Sequence, residues 1–257
     1  MSDTAARWLS SERDFPGSQP TLRRYVVLST PRSGSTLLGE CLRAVAAGDP
    51  LEYFHENVLA TYRRTAKGKQ HATYRDLLQV MERRRTSPNG TFGMKVHFYQ
   101  FNRVFGVDIH TVGRDWLRHQ QALIRVYRRD RLAQAVSRTK AVATQQWSSI
   151  EVPVKAYSFA GTAKNYSNLV GNLLWVVRDE LQWMDFCAQH GFQTLDVAYE
   201  DLRDDLSSTL GRVLKYIGVP DTSADLKEPP LRALADNQSA EVRASLLAYL
   251  TGARDPL

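Results

Sequence analysis

After the polar residues 1–20, which include Pro16, Gly17 and Pro20, the first apolar run is Tyr25-Val26-Val27-Leu28-Ser29. A short continuous run of this kind, bounded by polar residues, predicts a buried strand. A polar turn follows, and then Leu38, Cys41, Leu42 and Val45 recur at helical spacing. The same alternation recurs down the chain. Residues 57–86 carry Leu77, Leu78 and Met81 at helical spacing among many Arg and Gln, which predicts one or two basic helices. The turn Ser87-Pro88-Asn89-Gly90 opens a second strand, Thr91 to Phe98. Residues 99–121, interrupted by Gly106 and Gly113, read as a loop or short helix.

A third strand is expected over Ala122 to Arg128, where Leu123, Ile124 and Val126 are apolar. Asp130 can cap the helix behind it, marked by Leu132, Ala135, Val136 and Ala143. Residues 145–162 read as a loop with Trp147, Tyr157 and Phe159, before a long helix from about Lys164 to His190, closed by Gly191. The alternating stretch Thr194 to Tyr199 predicts a strand, and Leu206, Leu210, Val213, Leu214 and Ile217 mark a helix from about Asp204 to Ile217 that Gly218 and Pro220 end. Residues 221–240 look irregular, and a last short helix spans about Ala240 to Leu250.

Strands that alternate with helices imply an α/β fold, a parallel sheet with helices on both faces. With no repeat and no linker, the expectation is a flexible lead-in over 1–20 and one domain over 21–257. In such sheets ligands gather at the carboxyl ends of strands. That rule selects Arg32 to Thr36, the region of Lys95 and His97, Arg128 and Arg129, and Tyr199-Glu200-Asp201.

Composition changes the picture little. The 34 basic residues outnumber the 27 acidic ones, for a net charge of +7. That suits a polyanionic ligand, whether nucleotide, nucleic acid or anionic membrane. Cys41 and Cys187 fall on apolar helical stripes and read as small core residues. No zinc-type spacing, secretory leader or run of roughly 20 apolar residues is visible, so the expectation is a cytoplasmic protein without a metal or a membrane span.

The loop Thr30-Pro31-Arg32-Ser33-Gly34-Ser35-Thr36 carries the clearest chemistry. A strand, a polar loop and a helix N-terminus together form a cradle for an anion. Gly34 permits close backbone approach, Arg32 supplies a forked cation, and Ser33, Ser35 and Thr36 supply hydroxyls. The ATP-binding pattern G-x-x-x-x-G-K-[ST] is absent, which weighs against a nucleotide-dependent kinase. A second group is Arg128-Arg129-Asp130 with Gln134-Ala135-Val136-Ser137. An Arg at a strand end plus a Ser two turns into the next helix suits a phosphate monoester, and Arg128 is preferred over Arg129. Lys95 and His97, two apart on a strand, share a side.

Pro31-Arg32-Ser33-Gly34-Ser35-Thr36 resembles the 5′-phosphosulfate loop of sulfotransferases, which use 3′-phosphoadenosine 5′-phosphosulfate (PAPS) as sulfuryl donor. With Gly48-Asp49-Pro50-Leu51-Glu52-Tyr53-Phe54 and the Arg128 to Ser137 segment, the chain resembles the mycobacterial trehalose 2-sulfotransferase family from about residue 24 to 140, and more weakly beyond. The resemblance implies a P-loop-like parallel sheet flanked by helices. It implies PAPS held by Arg32, Ser33, Gly34, Ser35, Thr36, Arg128 and Ser137, a hydroxyl-bearing acceptor such as a sugar, and a homodimer. It places a general base at Glu52. Lys95-Val96-His97 resembles the Lys-x-His strand end of cytosolic sulfotransferases, so His97 is the second candidate base and Lys95 an assistant to the leaving group. Gln238 stands where the trehalose-type pattern has Arg and is not assigned. A basic nucleic-acid-binding protein is the non-enzymatic alternative, but no nucleic-acid-binding motif is present.

Overall fold

The computed structural model describes residues 3–17, 19–149, 151–231, 234 and 236–253. Four strands form one parallel sheet: β1 (Arg23–Ser29), β2 (Thr91–His97), β3 (Ala122–Tyr127) and β4 (Leu195–Ala198), in the order β2-β1-β3-β4. Ser29 at the end of β1 lies opposite His97 of β2 and Val126 of β3, so three carboxyl ends finish level. All four predicted strands are present. Phe98, Arg128, Thr194 and Tyr199, expected as strand residues, fall just outside them.

The helices are α1 (Asp3–Leu9), α2 (Ser35–Ala44), α3 (Glu56–Thr65), α4 (Tyr74–Arg85), α5 (Phe98–Phe105), α6 (Arg114–Arg118), α7 (Arg131–Thr144), α8 (Ala163–His190), α9 (Tyr199–Asp204), α10 (Leu206–Ile217) and α11 (Asn237–Leu250). Among the described residues no helix is long and apolar enough to cross a membrane.

The two-residue period of β1 divides the core. Val26 and Leu28 pack with Tyr53, Phe54, Leu77 and Trp183 on one face of the sheet. Tyr25 and Val27 pack with Leu38 and Leu42 of α2 and with Leu210 and Leu214 of α10 on the other. Each such side chain, fully buried, contributes about 1.5–3 kcal/mol. A third cluster, Val136, Tyr166, Leu169, Val242 and Leu246, joins α7, α8 and α11.

Residues 99–121 are mostly helical. Phe98, Phe101 and Phe105 share one face of α5, and the Phe101 ring lies 5.2 Å from that of Trp183. Gly106 (φ 53°) ends α5. Gly113 closes a π-turn at Ile109–Gly113, where an added Cβ would sit 3.0 Å from Phe101. Both glycines mark breaks between helices rather than a loop. The expected helix over Asp204 to Ile217 is preceded by a separate short one, because Asp205 leaves helical geometry and caps α10 by accepting from the Ser208 N–H. The last helix begins earlier than expected, at Asn237, where Asp236 accepts from the Ser239 N–H. Positions 232, 233 and 235 of the segment expected to be irregular lie outside the described residues.

The lead-in over 1–20 differs most. Residues 3–9 are helical, Ala5 is buried, and Trp8 and Leu9 pack on the core. Arg84 donates to the Leu9 carbonyl, and the buried Arg85 donates to the carbonyls of Trp8 and Ser10. Ala5, Trp8 and Leu9 form an i, i+3, i+4 stripe, the signal that identifies this segment. Positions 1, 2 and 18 lie outside the described residues. Cys41 and Cys187 are free and buried, and burial pushes their thiols up, to about 12 and about 11.

Gly93 lies opposite Tyr25, whose ring covers it and whose hydroxyl donates to the Ala47 carbonyl. A Cβ at Gly93 would overlap that ring. Gly93→Ala is expected to lower stability by about 1–3 kcal/mol, read as a lower urea midpoint. Gly171, exposed within α8 with open space at its Cβ position, is the control. Gly171→Ala is expected to raise stability by about 0.5–1 kcal/mol.

Candidate active site

The loop after β1 is held in an uncommon backbone shape. Arg32 (φ 66°) and Gly34 (φ 91°) both adopt positive φ. Gly34 precedes α2 and its carbonyl accepts from the Leu38 N–H at 3.0 Å. A Cβ there would lie 2.6 Å from Tyr199 Cδ2, so the close approach requires glycine. Gln134 of α7 braces the loop from below, its Nε2 donating to Thr30 Oγ1 at 2.7 Å and to the Pro31 carbonyl at 3.0 Å.

Arg32 turns its guanidinium toward α7. Nε donates to Ser137 Oγ at 3.0 Å and Nη1 to the Trp147 carbonyl. Burial, and next the charge of Arg128, push its pKa down to about 10. Two guanidiniums thus face one space. Arg128, at the end of β3, lies 4.8 Å over the Tyr199 ring, and among the described residues its buried Nε has no hydrogen-bond partner. The Glu200 carboxylate is 3.9 Å away. Burial lowers its pKa as well, against Tyr199 and Glu200. Glu200 also accepts from the backbone N–H groups of Arg129 and Asp130, which fixes the turn out of β3. Arg129 points elsewhere and pairs with Asp201 at 2.7 and 2.9 Å. Arg32, Gly34, Ser35, Thr36, Arg128 and Ser137 all line one cavity of about 290 Å³.

A second cavity, of about 470 Å³, holds Glu52, Lys95 and His97. The segment after Pro50 reaches it because the Lys95 N–H donates to the Leu51 carbonyl at 3.0 Å, adding one bridge beside β2. Lys95 is 2% exposed, and its Nζ lies 3.0 Å from Glu52 Oε1 and 2.9 Å from Thr36 Oγ1. Glu52 Oε2 accepts from Gln100 Nε2 at 2.7 Å. Burial by itself would raise the Glu52 carboxyl, but His97 and Lys95 reverse this and hold it well below the usual carboxylate range.

His97 Nε2 is 3.4 Å from Glu52 Oε1, and Nδ1 is 3.1 Å from Ser29 Oγ. Nδ1 also lies 3.1 Å from the Ser29 carbonyl oxygen, which can only accept, so an Nδ1–H donates to it. Nε2 then faces the carboxylate, and His97 orients Glu52.

The two cavities meet. Arg32, Ser35, Thr36 and Trp147 line both. The structure therefore brings together nine of the ten residues selected from sequence. Ser33 is the exception: it is fully buried, lines neither cavity, and its Oγ has no hydrogen-bond partner among the described residues. Sequence reasoning passed over Tyr199 as a support for Arg128, Gln134, Gln100 and the Trp147 carbonyl. Gln134 and Tyr199 lay inside motifs already singled out; nothing in the chain pattern pointed to Gln100 or Trp147. Among the described residues no group of three metal-ligating side chains gathers.

The parallel α/β sheet thus carries a cationic loop at its carboxyl edge, open to a cavity with a buried carboxylate. The chain belongs to the Stf0 sulphotransferase family, whose model matches residues 24–244. The trehalose 2-sulfotransferase of Mycobacterium tuberculosis is 30% identical over 230 residues, covering 77% of this chain and 85% of that protein. The trehalose 2-sulfotransferase of Mycolicibacterium smegmatis is 27% identical over 253 residues, covering 84% and 91%. A solved sulfotransferase from Alicyclobacillus acidocaldarius superposes with a TM-score of 0.49 at 15% identity, over 93% of this chain and 98% of that one.

The Glu52 ion pair makes stability depend on pH. Its folded pKa lies below the ordinary 4.5, so its contribution is complete above that pH and is lost as pH falls through the folded value. Urea midpoints of the wild type are expected to fall more steeply below pH 4.5 than those of Glu52→Gln. Lys95→Met leaves the carboxylate buried without its cation and is expected to cost about 3–5 kcal/mol, part of which adding Glu52→Gln restores. Chemical denaturation of the two single variants and the double variant measures both effects.

Proposed function

We propose that this chain transfers a sulfuryl group from PAPS to a hydroxyl of a small acceptor, a sugar foremost. The observation that carries this reading is the junction of the two cavities at Arg32, Ser35 and Thr36, with the Lys95–Glu52 pair against it. The donor set fits a nucleotide with a 3′-phosphate and a 5′-phosphosulfate. The orphaned Arg128 Nε and the Ser137 hydroxyl suit the 3′-phosphate; Arg32, Gly34, Ser35 and Thr36 suit the 5′ end. When bound, PAPS would supply the sulfuryl group that the acceptor oxygen takes up and would leave as 3′-phosphoadenosine 5′-phosphate.

The chain's residues then have distinct tasks. Glu52, ionised, accepts the proton of the acceptor hydroxyl, a contribution of about 10²–10⁴-fold. His97 and Gln100 hold its two oxygens in place. The Lys95 ammonium bridges Glu52 and Thr36. As Glu52 is neutralised, the pull of that ammonium turns toward negative charge in the loop, where charge grows in the transition state. Homodimer formation enters this proposal by the resemblance to the trehalose 2-sulfotransferase family drawn from the sequence.

Calorimetric titration with 3′-phosphoadenosine 5′-phosphate is the test, with ATP–Mg²⁺ as control. Arg128→Ala and Arg32→Ala are each expected to weaken binding by about 10–150-fold, the loss of about 1.5–3 kcal/mol of charged hydrogen bonding. Glu52→Gln is expected to keep that affinity while turnover of labelled PAPS drops by about 10²–10⁴-fold. Absence of bisphosphate binding in the wild type refutes the donor. Full turnover in Glu52→Gln, with none in His97→Asn, reverses the base.

A further inference from the structure

Helix α1 precedes the stretch 24–244 that the family model matches, yet Thr4, Ala5, Arg7 and Trp8 line the second cavity. The helix is not loosely placed. Arg84 and Arg85 take up the carbonyls at its end, and Asp14 pairs with Arg84 at 3.0 Å. At the mouth, Thr4 Oγ1 donates to Glu151 Oε1 at 2.8 Å, and Arg7 Nη2 lies 3.5 Å from the same oxygen. Glu151 in turn accepts from the Ser148 N–H at 3.0 Å and from the Trp147 N–H. The wall that α1 adds is thus preformed and fixed at both ends.

Beside the polar Thr4 and Arg7, the helix contributes the apolar Ala5 and Trp8. The Trp8 ring is partly buried and meets the edge of His55 at 6.3 Å. Trp175 and Tyr99, with rings 5.6 Å apart, line the same cavity. The wall's four carboxylates are already neutralised: Glu40 by Arg13, Glu52 by Lys95, Glu56 by Arg103 and Glu151 by Arg7. Among the described residues that line the cavity, a cationic acceptor finds no free counter-charge. A hydroxyl compound with an apolar face finds aromatic surface, which favours flat rings with a contribution beyond area alone.

We propose that Trp8 on α1 is a specificity-determining residue, and that the acceptor is amphipathic: a hydroxyl-bearing compound with an aromatic or other apolar portion that packs on Trp8. This rests on the second cavity being the acceptor chamber, as the proposed function has it. The acceptor therefore extends beyond a plain polyol, and the segment that selects it lies outside the part of the chain matched to the family.

Two glucosides that differ only in the apolar portion provide the test. Methyl α-glucoside and 4-nitrophenyl α-glucoside are titrated into the protein with and without saturating 3′-phosphoadenosine 5′-phosphate. The aryl glucoside is expected to bind about tenfold tighter than the methyl glucoside, a difference of about 1.4 kcal/mol. Trp8→Ala is expected to abolish the difference and Trp8→Phe to keep most of it, with bisphosphate affinity unchanged within about twofold in both. Equal affinities in the wild type, an aryl preference that survives Trp8→Ala, or binding of neither glucoside overturns the proposal. Loss of bisphosphate binding by the wild type strikes the donor reading instead and leaves the glucoside comparison standing.

Discussion

The Lys95 ammonium sits almost wholly out of water. Burial of a lone cation costs several kcal/mol even after relaxation, so its surroundings must supply charge and acceptors. Glu52 and Thr36 supply them, and the two come from different parts of the chain. The turn after Pro50 must therefore lie beside β2, and the first turn of α2 must lie over the end of β2. The Leu51 carbonyl, bonded to the Lys95 backbone, keeps the first of these in register. Gln100 and His97 complete the carboxylate's partners. A chemical group at the junction of two cavities and a structural tie between three elements are here the same atoms.

The arginines on the other side obey a different rule. Arg32 and Arg128 have lowered pKa values because burial removes their water, and at Arg32 the charge of Arg128 adds to the effect. Neighbours hold them loosely: a serine and a carbonyl for Arg32, an aromatic face and the Glu200 carboxylate at 3.9 Å for Arg128. Arg129, one residue on, is fully paired and outside the cavity. The contrast separates a cation kept available from one that is spent in a surface ion pair.

The fold was legible wherever apolar period and length agreed. Tyr25 to Ser29, with hydrophobes on both faces, announced a central parallel strand, and Leu206 to Ile217 announced an amphipathic helix. Phe98 to Phe105 was obscured because Gly106 and Gly113 look like loop residues until Phe101 and Phe105 are seen packed against Gly113. Residues 3–9 were obscured because three apolar positions in a polar stretch are a weak signal without the Arg84 and Arg85 partners that hold them. In the site, positions close in sequence to a strand end could be read directly. Ser33 could not be separated from Ser35, since only the positive φ of its neighbours decides which hydroxyl turns inward. Gln100 and the Trp147 carbonyl act through tertiary proximity, which no local pattern encodes.

The two buried cysteines have a practical consequence. With thiols pushed to about 12 and about 11, only on the order of one in ten thousand or fewer would be thiolate at neutral pH. Maleimide and iodoacetamide chemistry should therefore pass over both. A single cysteine introduced at an open position such as Val152, 86% exposed beside the mouth of the cavities, becomes the one reactive handle on an otherwise native background. A fluorophore or spin label there can report on ligands that reach this mouth without any cysteine first being removed.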